Sequence, residues 1–426
     1  MAFGPPSQRH FAIAYWGEAH EPAGVGTAQF TLRFRSAASM RAAFWPPSES
    51  RVGEAVMRGD VEVEGNLEAA AAVAPAIRDR LCRPRALARL GYHATRLPRE
   101  TAARDAAHAS RLDGRARHTR RHSLARDSAA IKSHYDVGND FYALWLDRRM
   151  VYSCAYFASP DSSLDDAQRD KLDHLCRKLR LKPGETLLDV GCGWGALVCH
   201  AVRHYGVRAT GITLSEQQAA WGRQRIRNEG MEDRAGIQVL DYRALRPGHP
   251  FDKIVSVGMF EHLGPTQMET YFHTMFGLLR PGGLFMNHGI VEAPTRHARG
   301  WRSALRRLAW HEGSFIDRHV FPDGQLVPLA LEIGTAESAG FETRDVESLR
   351  PHYVRTLRAW VDRLEQRWPD AVRLTDEVTA RTWRLYMAAS AHAFDSGQIG
   401  LAQVLFARPD ARGRVALPPT RGDLYR

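Results

Sequence analysis

Apolar positions follow two different patterns along the chain. From about Phe11 to Gly65 the β-type runs FAIAY, AQFTLRF and VEVEG alternate with Gly and Pro, and an Ala-rich helix then extends from Asn66 through Ile77. We expect a small α+β domain there. After Ile131 each short apolar run precedes a helical segment, and the runs are ETLLDVG, VRATGIT, GIQVLD, FDKIVSVG and GGLFMNHGI. This βα repetition predicts a parallel sheet with helices on both faces.

The remaining segments complete a two-domain plan. Between about Leu349 and Ala407 lie two helix-like stretches, VRTLRAWVDRLEQRW and RTWRLYMAASAHAFDSG, and a final strand-like run, LAQVLFA. Residues 98–130 have almost no large apolar side chains, so they cannot bury enough surface to offset the entropy of ordering. We interpret them as a flexible basic linker between a small domain at 1–97 and a larger one at 131–410. A lipid-headgroup contact and a solvated loop without a role are both open for this linker.

Composition narrows the class of protein. The chain has 426 residues, 44% hydrophobic and 25% charged, as folded proteins usually have. No run approaches the roughly 20 apolar residues that cross a bilayer, and no signal-peptide pattern is present. Five cysteines without a Cys-x-x-Cys pair argue against a disulfide framework and a zinc site, so we expect a cytoplasmic protein without a metal.

The net charge of +11 predicts an anionic partner. Nucleic acid and a membrane surface both fit that charge. The sequence contains no helix-turn-helix, zinc-finger or aromatic RNA-binding pattern, so we favour a membrane surface and expect no nucleic acid. The chain would then associate peripherally with the inner face of a membrane, and a homodimer stays open.

A glycine-rich turn carries the first chemical signal. The run LLDVGCGWG, which includes Asp189, Gly191 and Gly193, leads from an apolar strand into the apolar helix ALVCHAVRHYG. Glycine permits backbone conformations that a Cβ forbids and lets a ligand approach closely. The spacing differs from the dinucleotide fingerprint and from the phosphate-binding loop. It resembles the first motif of class I methyltransferases, which implies contact with the amino-acid end of S-adenosylmethionine. A purely structural turn is the alternative.

Polar residues follow the next two strands. Thr213 and Gln218 in GITLSEQQ are able to hydrogen-bond a ribose, and Asp241 in VLDYR is able to accept a hydrogen bond from an adenine amino group. Helix capping or turn formation is the alternative for each of these side chains.

Four further segments specify a family. HYDVGNDFYALWLD, VYSCAYF, VSVGMFEHLG and LRPHYVRTLRAW occur in the same order and at similar spacing as the signature segments of cyclopropane fatty-acid and mycolic-acid cyclopropane synthases, which the chain resembles from about Ile131 to Ala407. The segment MRGDVEVEGNLEA is more faintly similar to the lipid-binding N-terminal region of bacterial members. The resemblance implies methyl transfer from S-adenosylmethionine to a cis double bond of a phospholipid acyl chain, and closure of a cyclopropane ring.

The chemistry requires a base as well as a cofactor. Methylation of an alkene leaves a carbocation, which aromatic faces stabilise, and ring closure removes a proton from the transferred methyl group. In the family the base is thought to be a bound bicarbonate ion. The resemblance implies that five residues cradle this ion. Cys154 and Ile290 would donate backbone N–H groups, and His288 and Tyr353 would donate from their side chains. Glu261 would supply a carboxyl group.

The resemblance also assigns individual roles. Glu261 would orient His288 and share a proton, because two adjacent anions repel. Tyr152 and Ser153 would contact the amino-acid portion of the cofactor. The alternatives are a helix N-terminal charge for Glu261, a buried small residue for Cys154 and a core histidine for His288.

Several questions stay open at this stage. The stretch RGWRSALRRLAWHEG at 299–313 has helical apolar spacing and three flanking arginines, which suits either a membrane interface or an ordinary surface helix. The product is a cyclopropane or, as the alternative, a methyl-branched, methylene or hydroxylated chain. A small-molecule methyltransferase and a non-catalytic lipid-binding protein are the remaining alternatives.

Overall fold

The computed structural model describes residues 3, 6–17, 20–81, 83–99, 137–246, 248–293, 315, 319–320, 324–415 and 417–425. The predicted linker beyond residue 99 and the predicted helix at 299–313 lie outside these residues, as does His134. The chain forms two compact units, which are each built from several segments. The first unit contains Met1–Arg111, Thr295–Pro322 and Val361–Ser396, and the second contains Leu112–Pro294, Asp323–Trp360 and Gly397–Arg426.

Strands and helices alternate through most of the described chain. The strands are β1 Ala12–Ala14, β2 His20–Glu21, β3 Phe30–Phe34, β4 Val61–Gly65, β5 Thr186–Val190, β6 Arg208–Thr213, β7 Ala235–Val239, β8 Phe251–Val257, β9 Leu279–Glu292, β10 Glu342–Ser348 and β11 Ile399–Ala407. The α-helices are α1 Ala37–Phe44, α2 Glu49–Arg58, α3 Leu67–Leu81, α4 Pro84–Ala94, α5 Asn139–Trp145, α6 Leu164–Lys178, α7 Ala196–Tyr205, α8 Glu216–Asn228, α9 Pro265–Leu278, α10 Leu329–Ser338, α11 Arg350–Gln366, α12 Trp368–Leu374 and α13 Glu377–Asp395.

The first unit has a four-stranded sheet of order β2-β1-β3-β4. Strand β3 alternates buried and more exposed side chains, so its buried face packs on the helices. The side chain of Asn66, just before α3, accepts a hydrogen bond from Ala69 N at 2.9 Å. The sheet and helices of this unit confirm the predicted α+β organisation. The core gathers phenylalanines of the N-terminal strands together with Ala388 of α13.

This core explains a difference from the boundaries expected along the chain. The sequence assigns 131–410 to one domain, whereas the structure groups Val361–Ser396 with the N-terminal part. The reason is apolar packing, because Leu385 and Ala388 on α13 contribute to the core of the first unit. Helices α1 and α2 are further elements that the β-type pattern of residues 11–65 does not predict.

The second unit is a seven-stranded sheet of order β10-β11-β9-β8-β5-β6-β7. The apolar runs after Ile131 form β5 to β9, which are all parallel, so the predicted parallel sheet is confirmed. Strands β10 and β11 add an antiparallel edge. Leu187 and Leu188 belong to separate buried clusters, one with α6, α7 and α8 and the other with α9 and α10, so helices cover both faces.

Three features are absent from the described part of the chain. No helix there is long and apolar enough to cross a membrane. No group of three or more His, Cys, Asp or Glu side chains there could hold a metal ion. No disulfide bond joins the described cysteines, which are all buried and free: Cys154, Cys176, Cys192 and Cys199.

Candidate active site

The glycine-rich turn lies where β5 ends and α7 begins. Gly191, Gly193 and Gly195 have φ angles of 83°, 54° and 77°, the left-handed region that favours glycine. The backbone N–H groups of Gly191 and Cys192 both donate to the Ile212 carbonyl at 2.9 Å, which ties the turn to β6. A Cβ on Gly193 would meet no protein atom within 4 Å, so this glycine faces open space rather than packed protein.

That open space is a cleft of about 1160 Å³, part of it continuous with solvent, at the carboxyl ends of the parallel strands. We call it the cofactor cleft. All of the residues predicted to bind the cofactor line it: Tyr152, Ser153, Asp189, Gly191, Gly193, Thr213, Gln218 and Asp241. The structure thus brings together side chains that are far apart in sequence, while their individual contacts with a cofactor stay predictions.

Several polar side chains of the cofactor cleft already hold one another. The Thr213 hydroxyl donates to Gln218 Oε1 at 2.8 Å, which fixes the orientation of the Gln218 amide. The Asp241 carboxylate accepts hydrogen bonds from the backbone N and the guanidinium of Arg243, at 2.8 Å from the backbone N and 2.7 Å from Nη2. Asp241 therefore has the turn-capping role that the sequence left open, in addition to its place in the cleft wall.

Two buried ionisable side chains, Lys171 and Asp189, line the cofactor cleft. Lys171 on α6 donates from Nζ to Ser153 Oγ at 2.9 Å. Burial lowers the pKa of Lys171 to about 8, against the attraction of Asp147, Cys154 and Asp189. Burial also raises the pKa of Asp189 to about 7, against the attraction of Lys171. The sequence predicted Asp189 but not its cationic neighbour.

We call Glu261 and His288 the polar pair. Glu261 lies a few residues beyond the end of β8, and His288 lies on β9. Glu261 Oε1 accepts a hydrogen bond from Ile290 N at 2.8 Å, and His288 Nδ1 contacts the Gln403 amide at 3.1 Å. Glu261 Oε2 and His288 Nε2 are buried and have no hydrogen-bond partner among the residues that the structure describes. Burial raises the pKa of Glu261 to about 7 and lowers the pKa of His288 well below 6.5. Each member thus has one buried polar atom available to a further group.

Two contacts differ from the roles predicted for these residues, and those roles stay predictions. No hydrogen bond joins Glu261 to His288 among the described residues. Gln403 on β11 holds His288 instead, because β9 and β11 pair in a register that sets these residues opposite each other. The Ile290 N–H, expected to face an anion, donates to Glu261 in this structure.

Strand β11 also connects Ile290 with the two other predicted cradle residues. Leu401 on β11 pairs with Ile290 and accepts a hydrogen bond from Leu349 N at 3.0 Å. The Leu349 carbonyl in turn receives Tyr353 N at 3.2 Å and lies 3.8 Å from Cys154 Sγ. Burial raises the pKa of the Cys154 thiol, which argues against a thiolate role. The five residues therefore form one neighbourhood around the ends of β8, β9 and β11.

Sequence reasoning missed Lys171, Gln168 and Gln403. Each is almost completely buried. A usable signal existed for Gln403, since a lone amide in the apolar run LAQVLFA must find a partner if the strand is buried on both faces. Lys171 and Gln168 gave no such signal, because polar residues on a helix usually face solvent.

The sheet, its glycine turn and the cofactor cleft define a Rossmann-like class I methyltransferase fold. The family model "Mycolic acid cyclopropane synthetase" matches residues 122–404. The chain is 50% identical over 307 residues to the probable fatty acid methyltransferase of Pseudomonas putida, covering 72% of this chain and 76% of that protein. It is 38% identical over 286 residues to the cyclopropane-fatty-acyl-phospholipid synthase of Escherichia coli K12, covering 67% and 69%.

A solved structure agrees with these similarities. Mycolic acid cyclopropane synthase CmaA1, complexed with SAH and CTAB, superposes with a TM-score of 0.60 at 34% identity, covering 66% of this chain and 98% of that one. The chain belongs to the mycolic acid cyclopropane synthetase family. It is an S-adenosylmethionine-dependent methyltransferase, which confirms the resemblance found in the sequence.

Proposed function

We propose that the protein methylates a cis double bond of an unsaturated phospholipid acyl chain and closes a cyclopropane ring with the help of bicarbonate. The observation that carries this proposal is the polar pair, in which Glu261 and His288 each keep one buried polar atom without a hydrogen-bond partner among the described residues. Buried polar atoms are normally satisfied, so these two atoms support a role in binding a small polar ligand. The names of the Pseudomonas and Escherichia relatives support a lipid substrate.

The protonation states of the polar pair suit an anion. His288 is neutral because burial lowers its pKa, and with the Gln403 amide donating to Nδ1 the ring proton is on Nε2. Glu261, with its pKa raised to about 7, carries a proton over much of the range near neutrality. Both residues would then donate hydrogen bonds to bicarbonate. Bicarbonate, when bound, would supply the base that removes the methyl proton.

Other residues of the chain position the reactants. The sulfonium of S-adenosylmethionine supplies an electrophilic methyl group, and the cofactor cleft would hold it by the glycine turn. Trp360 lies within 6.0 Å of the rings of Trp145, Tyr152 and Tyr353, measured between ring centroids. Such an aromatic group stabilises a carbocation without attacking it, and it excludes water from the reaction.

A membrane surface is the proposed source of the substrate. The net charge of +11 attracts the chain to anionic headgroups, and each Lys or Arg near such a surface contributes about 1 kcal/mol. Binding to vesicles of phosphatidylglycerol and phosphatidylcholine should therefore weaken as salt rises. Salt-independent binding, or equal binding to phosphatidylcholine alone, would count against this part of the proposal.

The second candidate is a methyltransferase that leaves a methyl-branched or methylene chain, which the name of the Pseudomonas relative favours. One experiment separates the candidates. Purified protein is incubated with methyl-labelled S-adenosylmethionine and mixed unsaturated phospholipids, and the labelled lipid is identified by NMR. Cyclopropane protons support the first proposal, whereas a vinylic or branched methyl signal supports the second. Label found only in a small molecule contradicts both.

A further inference from the structure

Helix α6 departs from the usual pattern of a helix packed on a sheet. Its buried side includes a row of polar residues at helical spacing, and these residues are Gln168, Lys171, His174 and Lys178. A packed helix normally buries an apolar stripe, and an unpaired buried charge is costly. The partners of this row should therefore reveal what the row does.

The two ends of the row have different partners. Lys178 forms ion pairs with two carboxylates of the edge strand β10, Asp345 at 3.2 Å and Glu347 at 2.5 Å. Lys171 has no such ion pair within 4.0 Å among the described residues, and its Nζ contacts the neutral hydroxyl of Ser153. Lys178 thus connects α6 to β10, whereas Lys171 contacts the wall of the cofactor cleft.

Gln168, one turn earlier on α6, holds the same wall. Its amide Nε2 donates to the carbonyl oxygens of Ser153 at 2.8 Å and Val151 at 3.4 Å. Gln168 and Lys171 therefore fix both the backbone and the side chain of Ser153.

The direction of the Lys171 contact constrains the Ser153 hydroxyl. An ammonium group only donates, so Ser153 Oγ is the acceptor and its own proton must point to a different atom. Ser153 lines the cofactor cleft, and no second hydrogen bond of its hydroxyl is present in the described part of the chain. The hydroxyl proton is accordingly free to be donated to an acceptor inside the cleft.

We propose that Lys171 is a positioning residue that turns the Ser153 hydroxyl into a donor for the carboxylate of the cofactor's amino-acid end. The buried ammonium also strengthens that donor, because it polarises the hydroxyl that it contacts. Asp189 lines the same cleft, and the attraction of Lys171 opposes the burial that raises the pKa of this acid. This inference rests on the cofactor cleft and not on the identity of the lipid product.

Calorimetric binding tests the proposal with two ligands. S-adenosylhomocysteine carries the carboxylate, whereas 5′-methylthioadenosine lacks the amino-acid portion. Lys171→Met should weaken S-adenosylhomocysteine binding roughly 10- to 100-fold, the usual value of a charge-assisted hydrogen bond, and change 5′-methylthioadenosine binding less than about threefold. Ser153→Ala, a smaller change that keeps the fold if Lys171→Met does not, should show the same selective loss.

A matched control and a double variant complete the test. Lys178→Met removes the other buried lysine of α6 and should leave the ratio of the two affinities as in the wild type. Since Lys171 acts through Ser153, the double variant should lose no more than about the larger single loss. Equal weakening of both ligands, unchanged S-adenosylhomocysteine binding by Ser153→Ala, or additive losses in the double variant would each overturn the proposal. None of these outcomes depends on which lipid product forms.

Discussion

The cofactor cleft and the polar pair differ in the hydrogen-bond partners of their polar side chains. In the cofactor cleft Thr213 is bonded to Gln218, and Asp241 to Arg243. In the polar pair each member has one protein partner and one buried atom without a hydrogen-bond partner among the described residues. The polar side chains of the cleft thus hold one another, whereas the free atoms of the polar pair are those that the proposed bicarbonate would bind.

This difference predicts how each region responds to mutation. Changes in the cleft should alter the affinity for the cofactor, because they disturb a formed surface. Changes in the polar pair should alter turnover and its dependence on an added anion, because the proposed bicarbonate would bind there. The following predictions test that division, beginning with the largest effect.

Glu261→Gln should lower turnover by roughly 10²- to 10⁴-fold, the usual value of positioned base catalysis, while the fold and the affinity for S-adenosylhomocysteine are retained. Added bicarbonate should restore part of the activity, since the variant binds the anion more weakly. Turnover is measured by transfer of labelled methyl to lipid. Glu332→Gln is the control, because Glu332 is also a buried acid but is bonded to Asn287 at 2.8 Å, and its turnover should stay within about threefold of the wild type.

One result would contradict the proposed role of Glu261. Near-normal turnover of both wild type and Glu261→Gln in degassed, bicarbonate-free buffer would show that another group removes the proton. The polar pair would then lose its proposed role.

Gly193→Val should weaken S-adenosylhomocysteine binding roughly 100-fold, because the added side chain enters the cleft in a left-handed backbone conformation. The control is Gly230→Val, which imposes similar backbone strain at φ 62° in open space outside the residues that line the cleft. Titration calorimetry compares the two. If both variants bind as the wild type does, the glycine turn is not part of the cofactor site.

Gln403→Leu should lower turnover by about tenfold, because His288 loses the contact that fixes its tautomer. Nitrogen NMR of the His288 ring reports the tautomer directly. Gln403→Glu should place the ring proton on Nδ1 and leave Nε2 as an acceptor. An unchanged tautomer in both variants would contradict the orienting role of Gln403.

The smallest effect concerns stability and pH. The folded-state pKa of Glu261 is raised from 4.5 to about 7, so the native state binds more protons than the unfolded state between these values. The free energy of unfolding should therefore fall by about 1 kcal/mol per pH unit as pH rises through this window, for this residue alone. Urea unfolding at pH 5 and pH 7 measures this fall in the free energy of unfolding. In Glu261→Gln the fall should be smaller by about 1 kcal/mol per pH unit. The exposed Glu269→Gln variant should parallel the wild type, and parallel behaviour of Glu261→Gln would contradict the raised pKa.

The sequence predicted those parts of the fold that follow simple periodicity. The apolar runs of β5, β6, β8 and β9 have buried residues on both faces, which makes them recognisable as strands of a parallel sheet. Strand β10, ETRDVES, was not predicted because it is a polar edge strand with one buried residue, Asp345, in its middle. Its pairing is set by β11, which lies about 60 positions further along the chain.

The candidate site divides in the same way. Gly191 and Gly193 were predictable because glycine is the residue that their backbone conformations require. Lys171 was not, because its role depends on which side of α6 packs inward, and a mostly polar helix does not indicate that side. The partner of His288 likewise depends on the register between β9 and β11, which no local pattern in either strand encodes.

The position of α13 has a consequence for how the molecule is made. Phe30 and Phe34 are fixed early in synthesis, but Ala388, which shares their core, emerges near the end of the chain. The ribosome must therefore release most of the polypeptide before the N-terminal unit has all of its apolar surface covered. For the same reason, an N-terminal segment transplanted from a relative should be accompanied by that relative's α13, since the two surfaces pack into one core.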